Sequence, residues 1–311
     1  MNRCRITLDP LPDGSRYSSA GLRQLDPRLV DLQPLAYTLA EQLAEAAARA
    51  DKISIQGVQP KLSAVLRVKA SRFEVVDQSG RFILKPCPPL WPEVPANEAL
   101  TMRLAAESGI EVPVHGLVEG ADGSLVYFIR RFDRTGRAGR LPQEDGAQLS
   151  GRSRDTKYDA SVEQVIILLD KYCSFPLVEK RRLVRRLWFC FLTGNEDMHL
   201  KNWSLLGRDG RVDLSPAYDL LNTSIVLQHP AEESALPLRG KKRRLTRNDW
   251  VDYLAVERCG LPRKTVEEDL AQLLTTAAEK WPGLIERSFL SDAKKAAYEQ
   301  LVRERLVRLH G

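Results

Sequence analysis

The chain has 311 residues, 43% of them hydrophobic and 28% charged, a composition that supports a packed core and excludes wholesale disorder. Its longest uncharged run, residues 220–231, is 12 residues, short of the roughly 20 apolar residues that a membrane-spanning helix needs, and no apolar signal core follows the start; a soluble, cytoplasmic protein is expected. The net charge of +6 permits an anionic partner without requiring one, and five cysteines with no C-x-x-C pair exclude a disulfide framework and a cysteine-rich zinc site.

No period of roughly 20 to 50 residues repeats, which disfavours solenoids and propellers. The first 33 residues are rich in Pro, Gly and Ser and read as irregular. Residues 34–50 predict a helix, with Pro34 at its first position and Leu and Ala at helical spacing. Strand-like pieces follow at 63–68, 73–76 and 81–85, the last two joined by the turn Asp77-Gln78-Ser79-Gly80. After a Pro-rich stretch at 86–95, residues 97–108 predict a helix stopped by Gly109. Residues 112–118 and 125–130 predict another strand pair around a Gly-Ala-Asp-Gly turn.

From about Asp133 the character changes. Residues 134–159 are polar and rich in Gly and Arg and read as a long functional loop. Helices are then predicted at 161–172, 178–193, 248–258, 263–280 and 291–309, and the broad apolar stripe of 181–193 marks a core helix. The expected fold is α+β and bilobal: a β-rich small lobe over 1–132, a helical large lobe over 133–311, and space for a nucleotide-sized cleft between them. Two basic clusters stand out, Lys180 to Arg186 and Lys241-Lys242-Arg243-Arg244 beside Arg239 and Arg247. Each is either a solvated surface or a contact for an anion.

The segment Gly194-Asn195-Glu196-Asp197-Met198-His199-Leu200-Lys201-Asn202-Trp203 follows the apolar helix directly and is too polar to be buried without purpose. Asp197 and Asn202 have the D-x-x-x-x-N spacing of a kinase catalytic loop, in which the Asp accepts the proton of the attacking hydroxyl and the Asn binds magnesium. That spacing alone is weak. Asp219 strengthens it, lying 22 residues further on after a strand-like segment and a Gly-Arg-Asp-Gly turn, with Tyr218-Asp219-Leu220 where Asp-Phe-Gly would stand. Upstream, Lys85 closes an apolar strand as a phosphate-binding lysine should, and Glu98 follows on a predicted helix. Ser54 to Lys61 precedes the first strand of that series, where a phosphate-covering loop belongs. There is no G-x-x-x-x-G-K-[ST], no G-x-G-x-x-G, no H-E-x-x-H and no G-x-S-x-G. P-loop, dinucleotide, zinc-protease and hydrolase readings therefore have no support.

Taken together, these residues resemble the HipA-like serine/threonine kinase toxins of bacterial toxin–antitoxin systems. The matching pieces are S-I-Q-G-V-Q-P-K-L-S at 54–63, F-I-L-K-P at 82–86, N-E at 97–98, R-R-F-D-R at 130–134, L-P-Q-E-D at 141–145, G-N-E-D-M-H-L-K-N-W-S-L-L at 194–206 and P-A-Y-D-L at 216–220. The resemblance implies a kinase that uses ATP and Mg²⁺, with Asp197 as the base and Asn202 and Asp219 as metal ligands. It implies that Lys85, assisted by Glu98, contacts the nucleotide phosphates, that Gln56, Gly57, Val58, Gln59 and Lys61 cover them, and that Arg130, Arg131 and Phe132 form the hinge beside adenine. His199, Lys201 and Tyr218 complete the nucleotide site, and Ser54 is the autophosphorylated serine. A phosphate there, adding about −1.5 to −2 charge, would be repelled by those of ATP.

One departure matters. The long members of the family carry an additional N-terminal subdomain of roughly a hundred residues before the kinase core, whereas here the serine loop arrives at residue 54. The chain is therefore more similar to the short, HipT type, in which a separate small HipS-like protein supplies the missing piece. That resemblance implies a HipB-like helix-turn-helix antitoxin, operator DNA reached through it, and an aminoacyl-tRNA synthetase as substrate, tryptophanyl favoured and glutamyl the other candidate. Gln56 stands where some short members have a second serine. Two competing readings are a small-molecule phosphotransferase of kinase-like fold and a non-catalytic DNA-binding corepressor. The Asp197, Asn202 and Asp219 set argues against the second.

Overall fold

The computed structural model describes residues 2–12, 14–49, 59–136, 139–152, 156–227 and 232–310. The chain divides into two compact units. The first comprises Met1–Arg103, Pro113–Arg134 and Leu284–Ser291, the second Leu104–Val112, Thr135–Gly283 and Asp292–Gly311.

In the first unit, β1 (Asn2–Arg3) and β2 (Pro10–Leu11) form a short antiparallel ribbon. Helix α1 (Ser19–Leu25) starts where the Ser18 hydroxyl accepts the Gly21 N–H at 3.0 Å. Helix α2 (Leu39–Ala48) starts later than the Pro34 pattern predicts. Leu35 is buried and its N–H bonds the Glu119 carbonyl at 2.8 Å, which keeps the preceding stretch out of the helix. A capping box, Thr38 with Glu41, then sets the start by satisfying two otherwise orphaned amides.

Strands β3 (Leu62–Arg67), β4 (Arg72–Val75) and β5 (Phe82–Lys85) come next, then helix α3 (Val94–Glu107), whose last turn belongs to the second unit, and strands β6 (His115–Glu119) and β7 (Leu125–Arg130). The five strands form one antiparallel sheet in the order β4-β3-β5-β7-β6. Alternation along them sends Leu62, Ala64, Phe73, Phe82, Leu84, Val126 and Phe128 into a core shared with Leu22, Leu25, Leu29 and Leu32. Phe73 packs its ring 5.0 Å from Phe82 and 5.1 Å from Phe128, geometry that adds about 0.5–1.5 kcal/mol per pair beyond area burial.

The polar stretch predicted as a loop, in the second unit from Thr135 on, contains three short strands and a helix: β8 (Arg134–Thr135), β9 (Gly139–Arg140), β10 (Gln143–Asp145) and α4 (Gly146–Leu149). Helices α5 (Val162–Tyr172) and α6 (Pro176–Leu192) follow, then the hairpin β11 (Ser204–Arg208) and β12 (Arg211–Leu214). Strand β10 satisfies its backbone on β11, with Asp145 opposite Ser204, a long-range pairing that a polar tripeptide does not advertise. The chain continues in a wide, π-type helix (Asp249–Arg258), then α7 (Arg263–Glu279), α8 (Trp281–Glu286), whose residues from Leu284 on belong to the first unit, and α9 (Asp292–His310). Helix α6 is the core element. Its Phe189 meets Trp281 at 5.4 Å and its Phe191 meets Trp250 at 5.3 Å, and the Trp188 indole donates to the Trp250 carbonyl at 3.3 Å.

Candidate active site

The polar segment 194–203 begins where α6 is stopped. The Gly194 N–H bonds the Phe191 carbonyl at 3.2 Å and the Asn195 N–H bonds Cys190 at 2.9 Å, the paired bonds of a Schellman C-cap. Gly194 has φ +64°, which favours glycine, and a Cβ there would lie 2.4 Å from Leu301 and 2.6 Å from the Ser224 hydroxyl, so both side chains would have to shift. Asn195 then turns back to accept the Asp197 N–H at 3.1 Å.

These bonds present the Asp197 carboxylate at the surface, its side chain 52% exposed. Two neighbours define it. Asn202, buried on the 3₁₀ turn Leu200–Asn202, donates its Nδ2 to the Asp197 carbonyl at 2.8 Å, leaving Oδ1 as that amide's acceptor. Tyr158, which the sequence did not single out, donates its hydroxyl to Asp197 Oδ1. His199 is buried with Nε2 3.9 Å from that same oxygen and its ring edge-on to Tyr158 at 5.1 Å. Burial pushes the His199 imidazole below its usual range, although the charges of Asp197 and, more weakly, Asp219 push it up.

The segment that brings Asp219 is tied to this loop at both ends. On its near side the Tyr218 hydroxyl donates to the Lys201 carbonyl at 2.8 Å and meets the Ser204 hydroxyl at 2.5 Å, while burial raises its pKa. On its far side Thr223 Oγ1 accepts the Glu196 N–H at 2.8 Å and donates to the Gly194 carbonyl at 3.0 Å. Asp219 itself adopts φ +54°, the left-handed region that Asp and Asn visit more readily than other non-glycine residues, for which it costs about 1–2 kcal/mol. Helix α6 anchors the approach. Glu179 accepts the Leu214 N–H at 3.0 Å, Arg182 donates to the Leu214 carbonyl at 3.0 Å, and buried Arg186 donates to Ser215 at 2.8 Å. Burial pushes the Arg186 guanidinium down to about 10, so it remains charged at neutral pH.

The second unit thus gathers Asp197, His199, Lys201, Asn202, Tyr218 and Asp219. The structure uses the Tyr218 hydroxyl and the Lys201 carbonyl as struts between segments. In the first unit, Lys85 ends β5 and pairs with Glu98 of α3 at 2.5 Å, both side chains almost wholly buried. Arg130 sends its guanidinium to the Leu25 and Gln24 carbonyls at the end of α1 and over the Phe82 ring, and Arg131 pairs with Asp133 at 2.8 Å. The main-chain N–H groups of Arg130 and Arg131 bond the Val114 and Arg81 carbonyls, each at 2.8 Å. Phe132 is half-buried, as are Gln59 and Lys61, which lead into β3. Ser54, Gln56, Gly57 and Val58 lie outside the described residues.

Among the described residues no three His, Cys, Asp or Glu side chains gather as a metal site. The two ligands expected from the sequence, Asn202 through Oδ1 and Asp219 through its carboxylate, would offer only oxygen and a single acid. That suits Mg²⁺, which keeps several waters and takes one or two carboxylates together with substrate phosphates.

Comparison with known proteins bears on this arrangement. The model of the HipA-like C-terminal domain matches residues 53–281. A protein of Haemophilus influenzae named as a kinase is 33% identical over 239 residues, 72% of this chain and 69% of that protein. The serine/threonine-protein kinase toxin HipA of Shewanella oneidensis is 28% identical over 201 residues, 56% of this chain and 44% of that protein. Among solved structures, HipA in a complex of HipA, HipB and operator DNA from Shewanella oneidensis superposes with a TM-score of 0.68 at 22% identity, covering 98% of this chain and 77% of that one. The Helicobacter pylori proinflammatory kinase CtkA gives 0.58 at 15% identity, covering 83% and 93%. Both are likenesses of fold, and they bear out the expected α+β, kinase-like architecture. No helix among the described residues is long and apolar enough to cross a membrane. By the family model, the named relatives and the fold, the chain belongs to the HipA-like C-terminal domain family of kinases.

Proposed function

We propose that this chain transfers the γ-phosphoryl group of ATP to a serine or threonine hydroxyl of a protein, as the toxin of a bacterial toxin–antitoxin system. The observation that carries the reading is the bond from Asn202 Nδ2 to the Asp197 carbonyl, with the Asp219 segment strapped to the same loop. It fixes the backbone that carries a half-exposed carboxylate, and on this reading the Asn202 amide oxygen and Asp219 act beside it. In the proposed reaction the acceptor oxygen attacks the γ-phosphorus, its proton passes to Asp197, the bond to the β–γ bridging oxygen breaks, and ADP leaves. Asn202 Oδ1 and Asp219 would hold Mg²⁺, which when bound neutralises phosphate charge. Lys85, oriented by Glu98, would contact the phosphates, and the loop from Gln56 to Lys61 would cover them.

The proposed target is an aminoacyl-tRNA synthetase, tryptophanyl favoured over glutamyl, with translation arrested through uncharged tRNA. Ser54 is the proposed autophosphorylation site. A HipB-like antitoxin is the proposed partner, supported by the HipA, HipB and operator DNA complex of Shewanella, and a HipS-like small protein is a second. The test is phosphopeptide mass spectrometry after brief expression of wild-type chain and Asp197→Asn. Phosphoserine at Ser54 and on one synthetase is expected only with wild type. An identical phosphopeptide set from Asp197→Asn rejects the assignment of the base, and a wild-type set lacking any synthetase rejects the substrate.

A further inference from the structure

We propose that Tyr158 is the positioning residue for Asp197, an inference that rests on the kinase reading above. Its hydroxyl donates to Asp197 Oδ1, one of two carboxylate oxygens, and leaves Oδ2 for the proton of the acceptor hydroxyl. Acid–base catalysis commonly requires a third group that orients the base, recognisable as a hydrogen bond from orienter to base. Asp197 needs one, because its side chain is half in solvent, while Asn195, Asn202 and the His199 N–H fix its main chain and leave the carboxylate itself to turn.

Tyr158 is built to serve as that fixed point. Its ring stands edge-on to buried His199, with centroids 5.1 Å apart and planes at 83°. The Lys157 ammonium lies 4.8 Å from the ring centre. The Lys157 carbonyl accepts the Leu200 N–H at 3.2 Å, which ties the chain just before the tyrosine to the turn that carries Asn202. A tyrosine held by its ring, its neighbour's ammonium and its neighbour's backbone acts as a strut for the carboxylate. Burial and the adjacent carboxylate both raise the phenol pKa, so the hydroxyl keeps the proton it donates. Through this last aromatic side chain the end of the 134–159 segment reaches the site.

The experiment measures ADP formation from ATP by purified wild type, Tyr158→Phe, Tyr158→Ala and Asp197→Asn, with casein as added acceptor. Tyr158→Phe keeps the ring and its contact with His199 and removes only the hydroxyl. A fall in kcat of about tenfold or more is expected, with KM for ATP within about twofold of wild type and an unchanged thermal melt. Tyr158→Ala should lose the same factor, and Tyr158→Phe combined with Asp197→Asn should lose nothing beyond Asp197→Asn alone, since the two act as a unit. A Tyr158→Phe enzyme as fast as wild type while Tyr158→Ala is impaired assigns the residue to packing and overturns the proposal. A faster Tyr158→Phe makes it a plug on the base and overturns it as well. Failure of the kinase reading has its own signature: wild type and Asp197→Asn then form ADP at the same rate, which removes the proposal with it.

Discussion

Lys85 stands opposite Tyr127 in the register of β5 and β7, its ammonium 5.4 Å from the ring centre, while Glu98 closes on the same ammonium from α3. The lysine is thereby presented by a strand, a ring and a helix at once, almost wholly buried. Removing one partner of such a pair leaves a buried charge uncompensated, which costs about 3–5 kcal/mol. Lys85→Met should lower unfolding stability by about that amount in urea, and Lys85→Met with Glu98→Leu should recover most of it without recovering ATP binding. A single Lys85→Met as stable as wild type would show the pair to be energetically idle.

Asp219 combines a charge with a left-handed backbone, and the two can be separated. Asparagine tolerates φ near +54° and alanine does not. Asp219→Asn should therefore melt close to wild type, and Asp219→Ala should lose about 1–2 kcal/mol. Both should lose the magnesium-dependent part of ATP binding in calorimetry run with and without the cation. Retention of that part by Asp219→Asn would remove Asp219 from the metal site.

His115 makes stability depend on pH. Its Nδ1 lies 2.8 Å from the Pro113 carbonyl, and since a carbonyl only accepts, Nδ1 carries the proton. Among the described residues Nε2 is buried without a partner. Burial lowers the imidazole pKa to about 4, against about 6.5 in the unfolded chain. Between these values the unfolded state binds a proton that the native state refuses. The contribution is complete above pH 6.5 and is lost as pH falls toward 4, a change of about 3 kcal/mol. His115→Asn, which keeps a donor for Pro113, should flatten this part of the curve when urea midpoints at pH 7.5 and pH 5 are compared. Equal slopes for both proteins would place the pH dependence elsewhere.

The strands of the first unit are legible in the sequence because hydrophobic alternation and turn chemistry coincide there, as in Phe82 to Lys85 after the Asp77–Gly80 turn. The start of α2 is less so: Pro34 mimics a helix start, and only the buried Leu35, bonded to Glu119 far along the chain, reveals otherwise. Gln143–Asp145 hides its strand for the same reason, since its partner β11 lies some sixty residues away. Side chains of the 194–203 segment announce themselves by being contiguous and too polar for their place. Tyr158 does not, because its role depends on a hydrogen bond across 39 residues. Nor does the sequence reveal that the Arg130 guanidinium is spent on the end of α1.

Helix α6 does more than fill the core. Glu179, Arg182 and Arg186, on one face, hold the strand and turn that lead to Asp219, and the same helix ends in the Gly194 cap that launches Asp197. The two acids are therefore referred to one ruler, and what that ruler fixes is phase. Each residue advances an α-helix by about 100°, so inserting one alanine between Arg186 and Gly194 would swing the loop around the axis relative to the face that grips its partner segment. No residue of the site would be altered, yet Asp197 and Asp219 would no longer belong to the same place.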